Sequence, residues 1–448
     1  MSLSESTRSR RRALWVAGAG YFFVLLDVTI VNVALPDIGQ GLGASRAELQ
    51  WVVDAYALVL ASFMLSAGDF VDRLGSRRLF LAGLALFGVA SLGCAAAPDG
   101  GTLIAARVVQ GLGAAAILPT SLAIVNQLFP DEKERPRAIG VWASVGGSAM
   151  VLGPVVGGLL VDPLGWRAVF WLNVPLVLVS LALALAFIPS GSTARHRQSD
   201  PLGQLLGTIA LVAAIFALIE GGRQGFTTGP TLGAGGISIL ALVLFARVEW
   251  RRPVPMLDPR WFRRAEFAGA NAGAGLMNLG TLGALFAISL YLQQRQGLSP
   301  LQTGLNLLPL AAPLTLLTPF TGRLVAVAGT RRPAGYGLLV CGLAYAALAL
   351  LGSKLTTAPD WALTALAGTG MAVAVPGLVA GATEALGPDR AGIAAAVNNT
   401  SRQVGGAIGV ALIGGFASVS ASLTASGAAL LLGGAAALVL MRPKPIPR

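Results

Sequence analysis

Ala13–Leu35 reads ALWVAGAGYFFVLLDVTIVNVAL, an apolar run interrupted by a single acid, Asp27. At ~1.5 Å per residue such a run crosses the hydrocarbon core of a bilayer, where a helix leaves no backbone group unpaired. Thirteen further runs of similar length follow, the last at 421–441, and they predict an all-α polytopic membrane protein with 14 transmembrane helices. Only small residues around Ser418 and Ser420 separate the last two runs, so thirteen spans is the competing count. Composition agrees. The 448 residues are 55% apolar and 12% charged, with a mean hydropathy of +0.73, whereas soluble domains carry roughly 25% charge. Soluble multidomain, disordered, collagen-like and coiled-coil readings are thereby excluded. Cys94 and Cys341 lie in apolar runs and the single histidine, His196, in a charged loop, which supplies neither a disulfide framework nor a metal cluster.

Positive loops stay on the cytoplasmic side. With the N-terminus inside, 25 of the 32 Lys and Arg residues fall in inside segments and five in outside loops (Arg46, Arg167, Arg223, Arg295 and Lys354), while Arg107 and Arg402 lie within spans. An even number of spans with both termini cytoplasmic follows. The net charge of +12 is then a topology signal, and nucleic acid is not an expected partner. Arg8, Arg10, Arg11 and Arg12 resemble the basic start of a signal peptide, but the run after them is long and has no small-residue cleavage site. It reads as a retained first span.

Two longer basic loops, Ser190–Asp200 and Val248–Ala265, divide the helices into six, two and six. The domains expected are a six-helix N-terminal bundle over 1–189, two linker helices with flanking loops over 190–264, and a six-helix C-terminal bundle over 265–448. An internal echo supports the division: GDFVDRLGSRR at Gly68–Arg78 and GRLVAVAGTRR at Gly322–Arg332 share two glycines seven apart and a closing pair of arginines. Each follows the second span of its six. Two six-helix halves rocking about a central site is a transporter plan.

Ionisable groups in mid-membrane are functional candidates by default, and here they are Asp27, Asp54, Arg107 and Arg402. Counted from the loops, Asp27, Asp54 and Arg107 sit roughly 10–14 Å below the outer surface, on spans 1, 2 and 4. The functional reading is a proton-coupling cluster, because desolvation makes a carboxylate hold its proton and an approaching arginine releases it. The plain alternative is a buried ion pair that fixes helix register. Asp54 is the stronger candidate for a proton or a cationic substrate, since Asp27 can serve to orient Thr29 and Asn32. Gln110 lies one turn beyond Arg107, and Arg402 is an isolated charge in span 13. Span 5 is dense in glycine (Gly140, Gly146, Gly147, Gly153, Gly157 and Gly158) around Pro154, which suits either a pivot or close helix packing.

These stretches carry resemblances. Gly68, Asp72, Arg73, Gly75, Arg77 and Arg78 look like the cytoplasmic loop signature of the major facilitator superfamily. Leu103, Arg107, Gln110, Gly111, Gly113, Ala114 and Ala115 resemble that family's proton-coupling motif, and Gly153, Pro154, Gly157 and Gly158 are similar to the motif associated with antiporters. With Leu26–Pro36 (LDVTIVNVALP), Trp51–Leu58 (WVVDAYAL) and Gly165–Pro175 (GWRAVFWLNVP), they point to the fourteen-span drug:proton antiporters. The second half matches more thinly, through the loop echo, Leu298–Leu305 (LSPLQTGL) and Asn398–Gly409 (NNTSRQVGGAIG). Two departures stand out. Ser76 occupies a place where the family often has a basic residue, and the second-half loop has Ala326 in place of the acid, so the cytoplasmic latch that Asp72 can form with a helix N-terminus or the basic loop after span 4 is one-sided.

What the resemblance implies is a proton-coupled secondary exporter of amphiphilic drugs or antibiotics working by alternating access, with no cofactor beyond the proton gradient. No nucleotide-binding Gly-x-x-x-x-Gly-Lys-Ser/Thr sequence is present, and the protein is not expected to be an enzyme. Its expected partners are small amphiphilic molecules, protons and the lipid bilayer, with a single copy as the working unit, in the cytoplasmic membrane of a bacterium. The alternatives are an exporter dedicated to one metabolite or antibiotic, a symporter, and a transporter-like sensor or lipid-handling protein that does not pump.

Overall fold

A computed structural model describes residues 3–129, 134–189, 200–253, 255, 257–351, 355–387 and 390–441. Among them the chain forms 14 α-helices and no strand: α1 (Leu3–Leu42), α2 (Arg46–Leu74), α3 (Ser76–Ala95), α4 (Gly100–Leu128), α5 (Arg135–Leu164), α6 (Arg167–Phe187), α7 (Pro201–Gln224), α8 (Gly229–Arg251), α9 (Ala265–Gln294), α10 (Pro300–Ala328), α11 (Arg331–Leu351), α12 (Ala358–Leu386), α13 (Ala391–Ile413) and α14 (Val419–Leu440). One 3-10 turn, Pro259–Arg263, precedes α9. Polar side chains start several helices. Asp99 accepts from Thr102 N at 2.8 Å to cap α4, a bond that also holds its carboxyl below the usual carboxylate range, and Ser418 accepts from Ala421 N at 3.1 Å to cap α14.

By length and composition 11 of these helices can cross a membrane, or 12 if α10, bent by 62° between Leu317 and Phe320, counts as one span. The expected count of fourteen is not reached on that ground because the middle of α13 is polar and the side chains of α2 over 64–73 lie outside the described residues. The described part of α2 carries Arg46, Glu48 and Asp54, and the middle of α13 reads Asn398-Asn399-Thr400-Ser401-Arg402-Gln403. Large apolar side chains cover the outside, including Ile237, Ile239, Leu240 and Leu242 of α8. Contiguous exposed apolar surface of this kind suits a lipid environment.

The chain divides into two compact units, Met1–Ser199 with Ser299–Gly304, and Asp200–Leu298 with Leu305–Arg448. The pair α7 and α8 belongs to the second unit, where α7 packs on α13. Inside each unit the same pairings recur eight helices apart. In the first, α1 packs on α4, α5 and α6, and α3 on α4 and α6; in the second, α9 packs on α12, α13 and α14, and α11 on α12 and α14.

The loop echo has a matching geometry. Its second glycine takes a left-handed backbone in both copies, Gly75 at φ 82° and Gly329 at φ 76°, a conformation that a side chain makes costly. Two residues on, each copy sends an arginine to the last turn of the sixth helix of its group. Arg77 donates to Leu185 O at 2.7 Å and Arg331 to Leu438 O at 2.6 Å. A cation there satisfies carbonyls that the helix leaves open and opposes its negative end. Arg77→Ala and Arg331→Ala are each expected to lower stability by about 1 kcal/mol, read as paired shifts in thermal unfolding of the purified variants. A shift confined to one of them would show that the repeat is not energetic.

Candidate functional site

Five helices of the first unit converge on Arg107 of α4, which is 1% exposed. Its terminal nitrogen forms a short ion pair with Asp27 Oδ2 of α1 and donates to Gln110 Oε1 at 2.7 Å, its Nε donates to Val52 O of α2 at 2.9 Å, and its plane lies 4.1 Å from the Tyr56 ring centre. Gln110 closes the cluster. Its amide donates to Asp27 Oδ1 at 3.0 Å and to Ser91 Oγ of α3 at 3.0 Å, while Cys94 Sγ lies 3.6 Å from its oxygen. Asn173 of α6 completes it, donating to Asp27 Oδ1 at 3.2 Å.

Glycine makes the approach possible. A Cβ at Gly111 would lie 2.8 Å from Tyr56 O, and one at Gly113 would lie 2.7 Å from Phe87 N, so α4 meets the backbones of α2 and α3 directly. The small residues after Arg107 in the span 4 motif therefore set the distance across which the charges reach.

Asp54 of α2 is placed differently. It is fully buried, yet neither carboxyl oxygen has a hydrogen-bond partner among the described residues. Tyr56 faces Arg107, and Asp54, two residues away, lies roughly 200° round the helix from it. The structure thus brings Asp27, Arg107 and Gln110 together and leaves Asp54 outside their network. Thr29 and Asn32, which Asp27 was expected to orient, bond to helix carbonyls instead, Thr29 to Leu26 O at 3.1 Å and Asn32 to Val28 O at 2.6 Å. Arg402 is half-buried on α13, its Nε unpartnered among the described residues. Beside it on α13, Asn398 donates to Ala270 O of α9 at 3.2 Å.

The glycine motif of α5 lies against α1. A Cβ at Gly153 would collide with Thr29 Oγ1, and one at Gly157 would lie 3.0 Å from Ile30 Cγ1. Ser299–Gly304 belongs to the same unit and seats on the next turn of α5. Ser299 donates to Asp162 Oδ2 at 3.0 Å, a Cβ at Gly158 would collide with Leu301 Cα, and one at Gly304 with the carbonyl of Pro154. Gly68, Asp72 and Arg73 of the expected latch occupy the stretch of α2 whose side chains lie outside the described residues. Gly75 forms the turn, Arg77 holds α6, and Arg78 is exposed.

Ser91, Tyr56 and Asn173 were not singled out from sequence. They are uncharged, so membrane depth does not flag them, although Asn173 lies in the quoted GWRAVFWLNVP stretch.

An arginine and glutamine one turn apart on a glycine-rich fourth helix, joined to an acid of the first helix, sit on a chain that the model of the Major Facilitator Superfamily matches over residues 17–410. The chain belongs to that superfamily. This major facilitator is 37% identical over 439 residues to the methylenomycin A resistance protein of Streptomyces coelicolor, covering 95% of this chain and 91% of that one. It is 37% identical to the multidrug resistance protein Stp of Mycobacterium tuberculosis over 91% of this chain and 76% of the other. It is 33% identical to the tetracenomycin C resistance and export protein of Streptomyces glaucescens over 90% of this chain and 74% of that relative. Among solved structures, a POT family transporter in complex with a thioalcohol-conjugated peptide superposes with a TM-score of 0.72, at 15% identity and 95% coverage of both chains. That likeness carries the fold alone. As a major facilitator the protein is a multi-span membrane transporter and not an enzyme, and transporters of this superfamily generally work without a cofactor.

Proposed function

We propose that this major facilitator exports amphiphilic drugs or antibiotics in exchange for protons by alternating access. The observation that carries the reading is the contrast between two buried carboxyls. Asp27 is held by an arginine and two amides. Asp54 has no donor at all among the described residues, and an ionised carboxylate buried without partners costs several kcal/mol. A proton removes that cost, so Asp54 is the group we assign to pick up and release it. Arg107, bonded through Val52 O to the turn of α2 that carries Asp54, ties the position of α2 to Asp27. Gln110 keeps Asp27 and Arg107 in register, and Arg402 is the second unit's candidate for a charged substrate group.

All fourteen helices then cross the cytoplasmic membrane of a bacterium with both termini inside. The working unit is one copy, in which 1–189 and 265–448 are the moving bundles and 190–264 links them. Gly153, Pro154, Gly157 and Gly158 fix the helix contacts that direct transport outward, and the Gly68–Arg78 loop acts in the conformational cycle on the cytoplasmic side. Relatives named for resistance to single antibiotics favour a second reading of the substrate range, dedication to one compound.

Proton movement in proteoliposomes on addition of ethidium tests the assignment. Asp54→Asn is expected to abolish substrate-evoked proton flux while leaving thermal stability equal to or above that of the parent, because it replaces an unpartnered carboxyl by a neutral group. Asp27→Asn is expected to lower stability as well, because it leaves Arg107 buried without its counter-ion. Full proton flux in Asp54→Asn would remove Asp54 from the proton path.

A further inference from the structure

Outside the Asp27–Arg107 cluster, a second group of buried acids lies in the other unit, at the joined ends of α7 and α8. Asp200 caps α7, its Oδ1 accepting from Gly203 N at 2.7 Å and pairing with Arg252 at 2.9 Å. Glu249 comes from the last turn of α8, and its Oε2 accepts from Leu257 N at 2.9 Å, so the chain after α8 folds back over it. Both acids are out of solvent, Glu249 at 1% and Asp200 at 5% exposure. Each keeps one oxygen, Glu249 Oε1 and Asp200 Oδ2, with no partner among the described residues.

These two oxygens converge on Gly203. A Cβ placed on Gly203 would collide with Glu249 Oε1 and lie 2.7 Å from Asp200 Oδ2. Both therefore border one small space that exists only because residue 203 has no side chain. Two acceptors cannot bond to one another, and two carboxylates in one buried site cannot both ionise cheaply. The missing element is a donor. Arg252 neutralises one acid, which leaves a single negative charge, and one proton cancels it. A metal ion would need several more oxygens than the two that are free.

The other charges on the packed elements are accounted for. At the 3-10 turn, Asp258 Oδ1 accepts from Arg260 N at 3.0 Å, and Arg260 and Arg263 lie over the Trp250 ring at 5.9 and 5.6 Å. Arg247 and Arg251 extend from α8, Glu220 and Arg223 pair with each other at the far end of α7, and Arg402 is the only charge within α13.

We propose that Asp200 and Glu249 form a second proton-binding site, in which one proton shared between Asp200 Oδ2 and Glu249 Oε1 pins the inner end of α8 to the start of α7. It shares no residue with the site assigned to transport. When the proton leaves, two neighbouring carboxylates with a single arginine on Asp200 repel, and the bond from Leu257 N to Glu249 loosens. By the charge distribution of the loops this end faces the cytoplasm, so the site responds to cytoplasmic pH.

Infrared difference spectra and amide hydrogen exchange of the full-length protein in lipid nanodiscs test this, in an Asp54→Asn background that removes the other proton candidate. A carboxylic-acid carbonyl band that vanishes on raising the pH is expected in that background and is expected to be absent when Glu249→Gln is added. Exchange at the amides around Leu257 should accelerate over the same pH range, by about tenfold for each unit by which loosening lowers the pair's proton affinity. In Glu249→Gln, whose amide supplies the missing donor permanently, that extra acceleration should vanish. Asp200→Asn provides the same test should Glu249→Gln fold poorly. No titrating carboxyl band in the Asp54→Asn background, or a band and exchange profile untouched by both substitutions, would overturn the proposal.

Discussion

Arg107→Ala is expected to cost the folded protein about 3–5 kcal/mol and to abolish transport. The guanidinium is enclosed by Asp27, Val52 O, Gln110 and the Tyr56 ring, so its loss strands a buried carboxylate with only two amide donors. Removing one partner of a buried pair is worse than removing both. Arg107→Met combined with Asp27→Leu should therefore recover most of the lost stability while remaining inactive. Arg107→Lys should fall between, because one ammonium cannot reproduce the planar fork that spans α1, α2 and α4. Thermal unfolding in detergent separates these outcomes from flux. If Arg107→Ala unfolds with the parent, the cluster does not hold the five helices together.

Gly158→Ala and Gly304→Ala are expected to be strongly damaging methyl additions, whereas Gly147→Ala should be silent. The first two would force a Cβ into backbone, at Leu301 Cα and at the Pro154 carbonyl respectively, while among the described residues no atom lies within 4 Å of a Cβ at Gly147. Overpacking of this kind costs about 1–3 kcal/mol, equivalent to about 5- to 150-fold in an equilibrium, and it falls on the seat of Ser299–Gly304 against α5. Drug-efflux rates in cells, normalised to the amount of protein in the membrane, should drop for Gly158→Ala and Gly304→Ala. Gly147→Ala should match the parent or gain slightly in stability, since alanine is the better helix former. Equal effects at all three glycines would mean that the loss follows the added methyl itself and not this contact.

Hydropathy located the helices because a bilayer demands long apolar runs, and it was blind where function puts polar groups into them. That is why α13 falls short as a span on composition although it is helical. Depth along the chain brought Asp27 and Arg107 to one level, but depth carries no azimuth. Asp54 lies at the same level and on another side of α2, a distinction already present in the spacing 52, 54, 56 at about 100° per residue. Ser91 and Asn173 were invisible for a different reason, since an uncharged side chain in a span reads as packing until its partner is known. The echo of Gly68–Arg78 in Gly322–Arg332 was legible as a repeat. Its purpose was not, because the carbonyls of Leu185 and Leu438 lie more than 100 residues from the arginines that reach them. Asp200 and Glu249 are likewise separated by the whole α7–α8 pair, and only its return brings the two acids together.

Both native cysteines are buried, Cys94 beside Gln110 and Cys341 within α11. A thiol-reactive probe in water therefore meets no native target on the folded protein, and a cysteine introduced at an exposed position becomes a unique attachment point without removal of the other two. Pairs of such positions, one in each compact unit, would let spin labels or fluorophores report distances during turnover in a molecule that keeps its own Cys94 thiol next to the buried charges.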